Sequence, residues 1–127
     1  MIEKGLKGKE EIIVTQDKTA KAYGSGGLEV FATPAMIAFI EYTALKSVEP
    51  FLEEGQSTVG TKVDVSHVSA TPVGLKVSCE TELTMIDRRR LVFSAKVYDS
   101  AGLIGQGIHE RFIVDNEKFI KKTQEKI

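Results

Sequence analysis

One cysteine, two histidines, three prolines and no tryptophan occur in 127 residues, and each scarcity closes off a class of protein. Cys79 has no partner for an internal disulfide, so a disulfide-stapled secreted scaffold is excluded. His67 and His109 lie far from it and from each other, which leaves no metal-ligand spacing; no bound metal and no other cofactor are expected. Positive charge is not in excess: 17 Lys plus Arg face 18 Asp plus Glu, a net charge of -1, so no global field exists to hold nucleic acid. No run of about 18 residues is apolar without charged or polar interruption, which argues against a membrane-spanning helix. No apolar run follows the charged residues 1–11, nothing marks secretion, and a cytoplasmic location is the expectation.

What is present fits a single globular domain over residues 1–127, with 42% hydrophobic and 28% charged residues and enough chain to bury a core of moderate size. The organising stretch is Thr33 to Val48, T-P-A-M-I-A-F-I-E-Y-T-A-L-K-S-V. Thr33 is suited to cap the first turn with its hydroxyl, and Pro34 sits where a missing N–H costs nothing. Nearly everything after that is apolar, so the rest of the chain should wrap this helix. At about 100° per residue, Glu41 falls in an arc formed by Ile37, Ala38, Ala44, Leu45 and Val48, with Thr43, Lys46 and Ser47 opposite. A carboxylate is therefore aimed at the core side. Glutamate is rarely buried without a partner. Glu41 thus reads either as a structural acid at a crevice or beside a buried Arg or His, or as a general base or nucleophile.

Before the helix, Ile12, Ile13, Val14 and Thr15 suggest a first strand near a sheet edge. Residues 22–27, A-Y-G-S-G-G, form a loop lacking the glycine and lysine spacing of a phosphate cradle. After Gln56 the pattern alternates: Val59, Thr61, Val63, Val65 and His67 share one parity, and His67 joins Val63 and Val65 on the expected core face. Thr71-Pro72-Val73-Gly74 supplies a turn. In the next strand Leu75, Val77, Cys79, Leu83 and Met85 face inward, and Cys79 reads as a small buried hydrophobe. Asp87-Arg88-Arg89-Arg90 reads as a solvated hairpin tip in preference to a phosphate-binding patch. Leu91 to Tyr98 alternates again, and a final strand, Leu103 to Asp115, sets Ile104, Ile108, Phe112 and Val114 inward. His109 and Arg111 then take the opposite face, which makes His109 a surface or interface residue and not a partner of Glu41. Asn116 caps a short last helix through Gln124.

One short strand, one long apolar helix and four antiparallel strands make an α+β domain, with an antiparallel sheet curled around one central helix. Its edge strands favour association into a dimer. Thr33, Glu41 and His67 converge on the boundary between helix and sheet. Thr33 and Glu41 are about 12 Å apart along the helix axis, so a unit using both needs a bridging substrate or a second subunit. His67 is placed to hydrogen-bond Glu41 across the core face, where each perturbs the pKa of the other.

The runs Val30-Phe31-Ala32-Thr33-Pro34, Met36 to Glu41, Val59-Gly60-Thr61 through Ser66-His67, Ala70 to Leu75 and Gly107-Ile108-His109-Glu110-Arg111 together resemble the fluoroacetyl-CoA thioesterase family of hotdog-fold proteins. The resemblance covers most of the chain from about residue 28 onward. It implies a hotdog fold, hydrolysis of an acyl-CoA thioester, and a catalytic set of Thr33, Glu41 and His67. It further implies that Gly60 lies by the bound thioester and Arg111 in the active-site region. Coenzyme A then enters as part of the substrate. A homodimer with sites near its interface is also implied, and pairing into tetramers is left open. The chain departs from the family at Ala22 to Leu28, where a longer, aromatic lid is replaced by a shorter glycine-rich segment; a general short acyl group is the expectation there. The rival reading is a non-catalytic acyl-CoA sensor, which needs a pocket but no carboxylate.

Overall fold

The computed structural model describes residues 1–127. Strand β1 (Lys7–Ile13) leads through a short 3-10 turn and helix α1 (Ala20–Tyr23) to helix α2 (Thr33–Val48). Strands β2 (Gln56–His67), β3 (Lys76–Asp87), β4 (Arg90–Asp99) and β5 (Gly102–Asp115) follow, and helix α3 (Asn116–Gln124) closes the chain. The five strands form one antiparallel sheet in the order β1-β3-β4-β5-β2. The expected sheet around a central helix is the architecture observed. β1 lies at one edge as expected, although it begins before its β-branched run; β2 is the other edge.

Helix α2 has the bounds its sequence predicts. Pro50 stops it: the chain tightens into a 3-10 turn at Glu49–Phe51, since proline has no N–H to continue the ladder. Its face is not the predicted one. Ala35, Met36, Phe39, Ile40, Thr43, Ala44 and Val48 are buried, while Glu41, Ile37 and Leu45 are half-buried and Ala38 is exposed. The core arc is rotated by roughly a third of a turn from the one expected, because a helix apolar almost all round carries no phase in its sequence. Thr43 tolerates full burial by donating its hydroxyl to the Phe39 carbonyl at 2.8 Å, as helical threonines do.

Against this face pack Val77 and Cys79 of β3, Ala95 and Val97 of β4, and Ile104; farther along, Leu83, Leu91 and Phe93 meet Ala44 and Val48. Each large side chain so buried contributes about 1.5 to 3 kcal/mol. The approach is close: a Cβ on Gly105 would stand 2.6 Å from Met36 Sδ.

Three one-residue slips break the strict alternation of the strands: at Thr61 in β2, at Thr84 in β3 and at Ile104 in β5. Each extra residue reverses the side on which later positions fall. Ile104 is buried as expected, but beyond the slip Ile108 and Phe112 are 47% and 40% exposed, and His109 and Arg111 turn inward at 0% and 5%. The outward placement of His109 and Arg111 is therefore corrected. Met85, expected inside, is exposed for the same reason. The Asp87–Arg90 hairpin has its tip at Arg88 and Arg89, and Asp115, not Asn116, takes the cap position of α3.

Cys79 is fully buried, and burial pushes its thiol up to about 11, partly opposed by a contact from Thr43. Native protein at pH 8 is expected to leave a disulfide reagent such as DTNB unreacted over an hour and to release one equivalent in denaturant. Rapid native labelling would contradict the packing of β3 against α2.

Candidate active site at the helix and the β2 edge

Two backbone hydrogen bonds hold the chain as it enters α2, Phe31 N–H to the Thr71 carbonyl at 2.8 Å and Ala32 N–H to the Lys18 carbonyl at 2.9 Å. Ala32 thereby becomes the cap and Thr33 the first helical residue, with no side-chain capping bond. The predicted cap is thus not formed, and the Thr33 hydroxyl is free for another partner. It lies 2.8 Å from His67 Nδ1, at the far end of β2. The N–H groups of Thr33 and Ala35 make no hydrogen bond within the chain, and Pro34 has none to offer, so the positive end of the helix is open to an anion.

The His67 ring stands edge-on to Phe31 at 6.3 Å. Burial lowers its pKa below the usual value, partly opposed by the backbone of Ser69, and Nε2 is buried with no hydrogen-bond partner. A neutral imidazole in contact with a hydroxyl is the arrangement of a base and a nucleophile. Beside it opens a cavity of about 310 Å³, lined among others by Ala20, Ser25, Val30, Phe31, Thr33 and His67.

Glu41 belongs to a second group. Its Oε2 is 3.6 Å from Arg111 Nη1. Arg111 also donates from Nε to Thr58 Oγ1 at 2.8 Å and from Nη2 to the Thr58 carbonyl at 2.9 Å. Nη1 lies 3.2 Å from His109 Nε2. His109 Nδ1 lies 2.8 Å from the Lys62 carbonyl; a carbonyl only accepts, so the ring proton sits on Nδ1 and Nε2 accepts from the guanidinium. Burial first, then the charge of Arg111, lowers the His109 pKa against the opposing pull of the Lys62 bond and of Glu41 and Glu110. Burial also lowers that of Arg111, opposed by Glu41.

Gly60 leaves the space that the Glu41 carboxylate occupies. It faces Arg111 across the β2–β5 ladder, and a Cβ there would collide with Glu41 Oε2 and stand 3.3 Å from His109 Cε1 and 3.4 Å from Arg111 Nη1. Gly60 and Arg111 therefore lie with Glu41, and the expected bond between His67 and Glu41 is not formed within the chain. His67 pairs with Thr33, and His109 takes the neighbourhood of Glu41. The signal for His109 was its shared parity with Arg111, hidden because that parity was counted across the slip at Ile104.

The two groups sit about two helical turns apart, each chemically incomplete. One has a hydroxyl, an imidazole and open N–H groups; the other has a carboxylate held by a buried guanidinium. Both lie along β2, whose outer edge has no strand beside it. No three His, Cys, Asp or Glu side chains gather as a metal set would, and no helix is long and apolar enough to cross a membrane.

Residues 14–117 match the family model described as fluoroacetyl-CoA-specific thioesterase, FlK. The fluoroacetyl-CoA thioesterase of Streptantibioticus cattleyicolor is 39% identical over 98 residues, 77% of this chain and 70% of that protein. A solved structure of the fluoroacetyl-CoA thioesterase FlK superposes with a TM-score of 0.94 at 32% identity, covering 100% of this chain and 98% of that one. A thioesterase superfamily member from Thermus thermophilus superposes with a TM-score of 0.89 at 27% identity, covering 99% and 96%. A hot-dog-like protein from Thermanaerovibrio acidaminovorans, 21% identical with a TM-score of 0.91, shares the fold.

Both imidazoles have pKa values lowered by burial from 6.5. Below that value the unfolded chain binds more protons than the folded one, so stability is full above about pH 6.5 and is lost as pH falls through the lowered values. The urea midpoint is expected to drop between pH 7 and pH 5, and to drop less in His109→Gln. A midpoint that stays level across that range would show that neither ring is held neutral by the fold.

Proposed function

The chain belongs to the fluoroacetyl-CoA-specific thioesterase family, and on that premise we propose that it hydrolyses the thioester of a small acyl-CoA at a site shared between two copies. The single observation that carries the mechanism is the 2.8 Å contact between Thr33 Oγ1 and His67 Nδ1. The thioester carbonyl lies at the start of α2, where the Thr33 and Ala35 N–H groups receive the developing oxyanion. Thr33 Oγ1 attacks the carbonyl carbon as His67 Nδ1 takes its proton. The C–S bond breaks, and the proton passes to the departing sulfur of coenzyme A. Water then attacks the acyl-threonine as it gives a proton to a base, the bond from the acyl carbon to Oγ1 breaks, that proton returns to Oγ1, and the free acid leaves.

The base for that water is Glu41 of the partner subunit. Within one chain Glu41 is two turns too far along the helix to serve. Antiparallel pairing of two β2 edges lays the Thr33–His67 end of one copy beside the Glu41–Arg111 group of the other, and satisfies the open strand edge at the same time. A dimer suffices for this; pairing into tetramers adds nothing to the site. The working unit is one hotdog domain over residues 1–127. The chemistry draws on side chains and water, with coenzyme A arriving as part of the substrate. A free thiol at Cys79 accords with a reducing, cytoplasmic setting.

The acyl cavity supports a general small acyl group. The segment over it is α1 and the turn after it, with Gly24 in the left-handed region at φ 73°. Neither of its large side chains lines the cavity: Tyr23 is 48% and Leu28 71% exposed.

Thiol release from a panel of acyl-CoA esters tests the reading. Thr33→Ala, His67→Ala and Glu41→Gln are each expected to lower kcat by roughly 100-fold or more, with Thr33→Ser retaining part of it. Tight CoA-ester binding without thiol release from any substrate would favour a sensor instead. Mixing inactive Thr33→Ala with inactive Glu41→Gln is expected to restore activity through heterodimers carrying one intact site. Failure of that mixture in confirmed heterodimers, with both parents inactive, would place Glu41 within its own chain's site.

A further inference from the structure

We propose that His109 is a positioning residue of this site, whose ring fixes the Arg111 guanidinium against Glu41. The inference rests on the reading of Glu41 as the site's carboxylate. The geometry is specific to one nitrogen. Arg111 Nη1 is both the atom 3.2 Å from His109 Nε2 and the atom 3.6 Å from Glu41 Oε2. An amino group with two N–H bonds in a fixed plane, one of them held by His109, has its other direction set. Nε and Nη2 are already engaged by Thr58, so the plane of the guanidinium cannot turn.

His109 acts as an acceptor only while Nε2 has no proton, and its surroundings enforce that. The Lys62 carbonyl of β2 holds the proton at Nδ1. Phe93 of β4 stacks on the ring at 6.3 Å with 27° between the planes, fixing its orientation without adding charge. The charged groups that act on it are Arg111, which opposes protonation, and Glu41 and Glu110, which favour it; desolvation outweighs them. His109 is 0% and Arg111 5% exposed, so water does not replace a lost acceptor. In acid the ring becomes a donor facing a donor, the contact turns repulsive, and the arginine loses its hold on the carboxylate.

Two substitutions separate positioning from packing. Phenylalanine keeps the stack on Phe93 and removes the acceptor. Glutamine offers an oxygen near Nε2 and does not titrate. His109→Phe is expected to lower kcat roughly 10- to 100-fold with KM nearly unchanged. His109→Gln should recover most of kcat and make the acid limb of its pH profile less steep, leaving the part that belongs to His67. In the wild-type protein, long-range ¹⁵N–¹H spectra should show His109 protonated at Nδ1 at pH 7.5, a readout that survives if either variant fails to fold. A proton on Nε2, or wild-type kcat in folded His109→Phe while Glu41→Gln is inactive, would overturn the positioning role alone. Full activity in Glu41→Gln would instead remove the reading beneath it.

Discussion

A guanidinium buried to 5% exposure governs the middle of this molecule. Removing such a charge from water is tolerable only when its N–H groups are met and a counter-charge stands near. Arg111 is met on three sides, by Thr58 twice and by His109, and Glu41 supplies the opposite charge. Meeting those demands determines neighbours that would otherwise be free to vary. A side chain at position 60 would displace the Glu41 carboxylate, the hydroxyl at position 58 accepts from the arginine, and the ring at position 109 accepts from it as well. The carboxylate at 41 is where it is because α2 runs past this charge.

The slip at Thr61 ties that centre to the other half of the site. Before it, Thr58 and Gly60 face the helix; after it, Val63, Val65 and His67 do, since their partners in β5 are His109, Gly107 and Gly105. In a strictly alternating strand Thr58 and His67, nine positions apart, would fall on opposite faces; the bulge lets both face inward. One bulged strand therefore serves both the arginine and the threonine. Helix α2 and strand β2 each contribute to both groups: Thr33 and His67 to one, Glu41 with Thr58 and Gly60 to the other.

Much of this was legible in the sequence. Helix α2 could be bounded because Pro34 and Pro50 punctuate it, and the four long strands because their apolar positions alternate. The special status of Glu41 followed from one acid in an apolar run. What could not be read was phase. A helix apolar on nearly every side has no unique buried face, so Glu41 was set a third of a turn too deep and Thr43 on the wrong side. A strand's parity survives only until an extra residue, and nothing in Gly102–Asp115 announces that Ile104 is one. His109 was therefore turned outward, although it is wholly buried. Thr33 was read as a cap because threonine before proline at a helix start is a cap by local rules; the pull of Lys18 and Thr71 on the preceding residues shifted the start by one and released the hydroxyl to His67.

That release bears on how such a site divides its labour. A threonine bound to its own helix would be a structural residue, and a histidine paired to Glu41 would leave no base near the helix start. Because the fold prevents both, the hydroxyl and imidazole lie together at the positive end of α2, while the carboxylate lies two turns away beside a guanidinium that neither of them touches. The separation keeps the Thr33–His67 pair clear of the field of Arg111, which would disfavour a proton on His67 if it stood in the place of His109. In the proposed mechanism, the imidazole that carries a proton during the reaction and the one that stays an acceptor thus lie at opposite ends of the same strand pair. The proposed pairing of two copies brings a carboxylate to the first of them from outside the chain, along the open edge of β2.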